Sequence, residues 1–119
     1  MRWSLAWIVL LGCKQGPPSP AEIADRGWAA HERVIAAGEA QPTCAGAGAA
    51  MQRLFVEDRQ AFVDAIGLDR DKARLEEATS YLEAHADRYA DLETRMEALS
   101  ERCATEPTVH AAFAQMANP

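Results

Sequence analysis

Three histidines and three cysteines are the side chains of this 119-residue chain best suited to chemistry. His31 is followed by Glu32, His85 stands apart, and Glu106 precedes His110 by four positions. A metal or haem held between helices needs ligands paired as His-x-x-x-His or Glu-x-x-His. Neither pairing occurs, and a single Glu four residues before a His is common by chance. Cys44 and Cys103 lie in no C-x-x-C or C-x-x-C-H pattern, so neither a redox motif nor a c-type haem site is written here. Metal binding by two isolated cysteines is the weaker reading of them. No Ser-His-Asp set assembles, and no glycine-rich phosphate loop follows a strand. The sequence therefore offers no catalytic residue, and neither an enzyme nor a cofactor is expected. His85 interrupts an apolar seam, with Tyr89 one turn on. A core or half-buried histidine bonded to a neighbouring carboxylate or carbonyl accounts for it. The alternative is a bundle with a pocket near His85 and Tyr89 that binds a small ligand, metal or haem included.

Cys13 is a different case. It closes the sequence Leu10-Leu11-Gly12-Cys13, after one positive residue, Arg2, and an apolar run from Trp3 to Leu11. Beyond it the chain turns polar and proline-rich. This stretch resembles the lipobox of bacterial lipoprotein signal peptides. The resemblance covers residues 1–13 only. It implies that the signal, residues 1–12, is removed, that Cys13 carries a diacylglycerol, and that the new N-terminus is acylated. The apolar run is too short for a spanning helix, which needs about 20 residues. One acyl chain holds a protein only marginally, whereas several make attachment firm. The resemblance thus places the protein in a bacterial cell envelope, anchored by lipid on the periplasmic side. Lys14 stands where enterobacterial inner-membrane lipoproteins resemble one another in carrying Asp, which tilts the expectation to the outer membrane.

With Cys13 taken by lipid, Cys44 and Cys103 remain as an even pair. In an oxidising envelope such a pair is expected to form a disulfide. Twelve Lys and Arg stand against eighteen Asp and Glu, a net charge of −6 that becomes −7 when Arg2 leaves with the signal. That balance excludes a nucleic-acid partner, which is bound through basic patches. It also argues against electrostatic docking on anionic lipid.

The elements follow from pattern. Residues 13–19 are the lipidated Cys and its tether; Lys14–Ser19 holds Gly16, Pro17 and Pro18 and reaches roughly 20 Å. Residues 20–119 read as one all-α domain, an up-and-down bundle of three main helices and a short C-terminal fourth. Ser19-Pro20-Ala21-Glu22 is a capping box. Ile23, Trp28, Val34 and Ile35 form the first apolar stripe, with Ala24, Ala30 and His31. Gly38 is expected to stop that helix at positive φ. Thr43 can cap the second helix, whose buried face is Met51, Leu54, Phe55, Phe62 and Ile66. Gly67-Leu68 reads as a Schellman end. A long third helix starts near Asp69, with a seven-residue seam of Leu75, Ala78, Leu82, His85, Tyr89, Leu92, Met96, Leu99 and Cys103. Arg88, Arg95 and Arg102 flank this seam, as a solvated row or as an edge for an acidic partner. Thr105-Glu106-Pro107 restarts the chain into a last helix with Val109, Ala112, Phe113 and Met116.

One strain appears at this stage. If the second and third helices form a hairpin level at Gly67, Cys103 lies roughly 20 Å farther from the turn than Cys44. A disulfide needs its Cα atoms within about 7 Å. Either Cys44–Gly48 is extended or the third helix breaks near Thr79-Ser80, and the two glycines favour the first. Two function classes are expected on this frame. One is an anchored interaction or structural module that binds another envelope protein. The other is the small-ligand binder, which a hollow core would favour.

Overall fold

The structure is a computed structural model and describes residues 16–119. Cys13 and the signal therefore lie outside the described residues. The chain is all-helical: α1 Pro20–Glu39, α2 Cys44–Gly67, a 3₁₀ turn Leu68–Arg70, α3 Lys72–Ala84, α4 Ala86–Arg102 and α5 Pro107–Ala117. Four of the five helix starts are side-chain caps, that of α5 being Glu106, whose carboxylate accepts from the Thr108 amide at 3.3 Å. Ser19 Oγ accepts from the Glu22 amide at 3.2 Å and Thr43 Oγ1 from the Gly46 amide at 3.0 Å. Asp71 Oδ1 accepts from the Arg74 amide at 3.2 Å. Each satisfies an amide that the first helical turn leaves without a partner.

Helix directions can be read from which residues meet. Ala65 stands against Gly27, Arg33 binds Asp58, and Met51 stands against Gly38. The numbers run oppositely, so α1 and α2 are antiparallel. Tyr81 binds Asp25, Arg88 binds Glu32 and Arg95 binds Glu39, each pair 56 residues apart. The numbers rise together, so α3 and α4 run parallel to α1. Gln52 binds the Thr108 carbonyl and Arg59 that of Pro119, so α5 follows the direction of α2. The chain thus alternates direction. Its core gathers Trp28, Val34, Ile35, Met51, Phe55, Phe62, Leu92, Leu99, Val109 and Met116. A smaller cluster of Ile23, Ala24, Leu68 and Ala78 closes the lower end.

The expected third helix is two helices. At His85 the backbone turns to φ −120°, ψ 34°. The Tyr81 carbonyl would accept the His85 amide in an unbroken helix. Instead it accepts His85 Nδ1 at 2.8 Å, and the amide turns to Leu82 O, three residues back, at 3.0 Å. The break lies beyond Thr79-Ser80.

Cys44 and Cys103 are bonded, with Cα atoms 5.5 Å apart. The strain is resolved differently from the expectation of an extended segment, since Cys44–Gly48 is the first turn of α2. A hairpin level at Gly67 is the assumption that fails. Pro17, Pro18 and Pro20 lie with Ala73, Arg74 and Glu77 around one surface groove. The parallel register of α1 and α3 therefore continues down beside the tether. The connection carries the chain past the end of α2 before α3 turns upward. Helix α3 overhangs α2, and this offset brings Cys103 level with Cys44.

Gly38 and Gly48 are explained by proximity rather than by turn geometry. Among the described residues no glycine has positive φ. Gly38 is not a stop: α1 continues to Glu39, and a Cβ at Gly38 would lie 2.9 Å from both Leu99 and Met51. Gly67 makes no Schellman turn; its φ of −60° leads into the 3₁₀ turn, which buries Leu68. Gly48 is helical because α5 passes over it, with Thr108 where a side chain would stand.

Candidate functional site

The expected pocket was placed near His85 and Tyr89. The structure separates the two residues. His85 is exposed, not a core residue, and its ring lies against Tyr81 with centroids 4.3 Å apart. Of the two accounts of its partner, the carbonyl holds and the burial does not. Tyr89 is 45% exposed but lines a cavity of about 360 Å³ between α1, the end of α2, α3 and α4. That volume falls in the range of small-molecule sites, about 300–1,000 Å³. Its floor is Ala24, Gly27, Trp28, Ala78 and Leu92. Its mouth is set by exposed Asp69, Leu75, Thr79, Tyr89 and Glu93.

The helices make this hollow for identifiable reasons. Gly27 and Ala65 let α1 and α2 approach closely, since a Cβ on Gly27 would stand 2.9 Å from Ala65 Cβ. Ala24 and Ala78 are small where α1 faces α3. The bend at His85 then changes the course of the chain between Leu82 and Leu92. Small residues and a bend together leave space beside a large indole.

Three polar rings line the cavity, those of Trp28, His31 and Tyr89. Trp28 is 4% exposed, and its Nε1 is buried with no hydrogen-bond partner. An unpaired buried donor costs on the order of 1–3 kcal/mol. The Trp28 ring meets the edge of Tyr89 at 5.8 Å, and the Arg88 guanidinium lies 4.7 Å from its centre. His31 packs on Phe62 at 4.6 Å and is bonded to the Gly27 carbonyl through Nδ1 at 2.7 Å. A carbonyl can only accept, so Nδ1 carries the proton and Nε2 of the neutral ring is an acceptor. Burial holds His31 below the usual histidine range, against the Gly27 bond, which raises it. Tyr89 is pushed up first by the neighbouring Glu93 carboxylate and then by burial. Asp69 and Glu93 are the charged residues of the lining, and both are acidic.

Beside the cavity runs a ladder of charges. Arg88 Nη1 donates to Asp25 Oδ1 at 2.8 Å, and Arg88 Nη2 donates to Glu32. Tyr81 Oη donates to the same Asp25 oxygen at 2.6 Å. Arg95 Nη2 donates to Glu39 Oε1 at 2.6 Å, and Arg102 reaches the Gly38 carbonyl at 3.4 Å. The Tyr81 hydroxyl first, and Arg88 second, hold Asp25 below the ordinary carboxylate range. Arg88 is driven up by Glu32 and Asp25, and Arg95 by Glu39. Arg88 and Arg95 are therefore ion-paired rather than a free solvated flank or an open edge for an acidic partner, whereas exposed Arg102 reaches only a carbonyl. Asp25, Glu32 and Glu39 recur at the same seven-residue spacing on α1 and face Tyr81, Arg88 and Arg95.

The sequence reading had placed Trp28 and His31 in the core stripe and left Glu93 aside, so it missed three members of the cavity wall. The available signal was Gly27 beside Trp28 with His31 four residues on, a notch next to an indole. Among the described residues, no group of three or more His, Cys, Asp and Glu could hold a metal ion. Nor is any described helix long and apolar enough to cross a membrane. No family model, curated protein or solved structure matches the chain.

Proposed function

We propose that this chain is a lipid-anchored module of the bacterial cell envelope that acts by binding rather than by catalysis. Its acyl chains would sit on Cys13, and the helical domain would present itself to another envelope protein on the periplasmic side, the outer membrane being favoured. The observation that carries the reading is the division of the cysteines. Cys13 closes a lipobox-like sequence, and the other two are bonded to each other. A disulfide between them suits an exported protein and is unusual in a reducing compartment. The short tether agrees with a domain held close to its membrane. Intact mass spectrometry of membrane-extracted protein should show an acylated N-terminal Cys13. A mature form starting elsewhere, or a Cys13→Ser variant processed and anchored as wild type, would overturn the proposal. Crosslinking from native membranes would then identify the protein partner.

The cavity favours a second reading, in which the domain also binds a small ligand. A hollow of this size beside an unpaired indole N–H is more than helix packing requires. A ligand that binds only the native state raises the melting temperature by mass action, so thermal shift over a compound set tests it.

A further inference from the structure

We infer that the cavity between α1, α3 and α4 takes a small organic cation, an amine with an apolar or aromatic body. The inference rests on the ligand-binding reading and names the ligand's chemistry. Charge comes first. The lining contains Asp69 and Glu93 and no Lys or Arg. The nearest cation, Arg88, is held by Asp25 and Glu32 along the ladder. A carboxylate ligand would face two acids with no counter-charge, whereas an ammonium would find attraction at the mouth. Hydrogen bonding comes second. His31 Nε2 is an acceptor because Nδ1 is committed to Gly27, and the acidic rim also accepts. An ammonium donates to all of these acceptors. Shape comes third. Leu82, Leu92 and Met96 offer an apolar wall, and Trp28 and Tyr89 offer ring faces suited to an aromatic body.

The test uses the full chain, isolated from membranes and held in lipid nanodiscs. Three probes of nearly one shape are titrated: tyramine, phenethylamine and 3-(4-hydroxyphenyl)propionate. The readout is the Trp28 indole N–H signal in ¹⁵N NMR spectra, assigned with Trp28→Phe. Tyramine should bind about tenfold more tightly than the propionate, the ratio for one well-placed charge interaction of about 1.4 kcal/mol. Phenethylamine, which keeps the amine without the hydroxyl, should also bind more tightly than the propionate, and both amines should shift the indole signal. The Asp69→Asn/Glu93→Gln variant alters exposed residues and should keep its helical spectrum while the tyramine-to-propionate ratio falls toward one. Equal or reversed affinity for the propionate overturns the cation assignment but leaves ligand binding standing. Phenethylamine binding no more tightly than the propionate would show that the hydroxyl rather than the amine is recognised, and overturns the cation assignment. No response to any of the three overturns both this inference and the ligand-binding reading.

Discussion

Gly48→Ala sets two opposing effects against each other and tests how α2 meets α5. Within a helix, exchange of Gly for Ala is worth about 1 kcal/mol in favour of the folded state. At Gly48 the new Cβ would lie 2.0 Å from Thr108 Oγ1, 2.5 Å from Thr108 Cβ and 2.8 Å from the Thr108 carbonyl carbon. The hydroxyl can rotate away. The other two atoms cannot, because Thr108 sits in the first turn of α5 and its carbonyl is bonded by Gln52 at 3.0 Å. Overpacking costs roughly 1–3 kcal/mol, and overlap with backbone puts this case at the upper end. The net expectation is a loss of about 2 kcal/mol, or on the order of 10 °C in a domain of this size. Gly67→Ala is the matched control, being helical in φ and ψ with nothing within 4 Å of its Cβ position. It should raise stability by up to about 1 kcal/mol. Thermal unfolding followed by circular dichroism reads both. If Gly48→Ala melts at or above the wild type, the close approach of α2 and α5 is wrong.

Three further outcomes are expected. Removing the disulfide through Cys44→Ala/Cys103→Ala should lower stability by about 4 kcal/mol in the loop-entropy model, visible as a lower denaturant midpoint; an unchanged midpoint would show that the helices hold the loop closed alone. Arg88→Met should cost about 1–2 kcal/mol, since it breaks two partly exposed ion pairs and the contact over Trp28, and a double-mutant cycle with Glu32→Gln should reveal coupling; additive effects would refute the ladder. For His31 the folded pKa lies below the unfolded value of 6.5, so the unfolded chain binds the extra proton first. Stability should therefore fall as pH drops below about 6.5 and level off below the folded pKa; His31→Gln should flatten that slope in pH-dependent unfolding, and an unaltered slope would place its origin elsewhere.

The helices themselves were legible because their signals are local. Ser19, Thr43 and the Gly67-to-Asp71 break need only neighbours along the chain. The apolar stripes of α1 and α2 stand with Trp28, Val34, Ile35, Met51, Phe55 and Phe62 buried, except at the end of α2, where Ile66 is exposed rather than buried. The seam of the third segment was less secure. Leu92, Leu99 and Cys103 are buried, but Leu75, His85 and Tyr89 are exposed. A heptad pattern marks one face of a continuous helix, and a break rotates the face after it. Nothing in the sequence alone says that Nδ1 of His85 will take the Tyr81 carbonyl. The cavity was hidden for a related reason. Hollows arise from where small residues on separate helices meet, here Gly27, Ala65, Ala24 and Ala78, and that depends on register between helices.

Register was nonetheless within reach. Asp25, Glu32 and Glu39 repeat every seven residues, as do Tyr81, Arg88 and Arg95, and the two rows match in chemistry when offset by 56. A shift of one heptad pairs all three arginines instead, Arg88 with Asp25, Arg95 with Glu32 and Arg102 with Glu39, so the charge rows alone leave two alignments open. In the structure the Tyr81 bond to Asp25 marks the offset of 56, and Arg88 reaches both Asp25 and Glu32. The same offset fixes the levels of the cysteines, since α3 must then begin beside Pro17 and Pro18 rather than beside Gly67. A ladder of half-exposed ion pairs adds little stability pair by pair. Its larger effect is to exclude registers that fall between heptads, and the Tyr81–Asp25 bond and the Cys44–Cys103 bridge go with the one alignment observed. In this fold that alignment brings Cys44 to Cys103 and leaves the space beside Trp28.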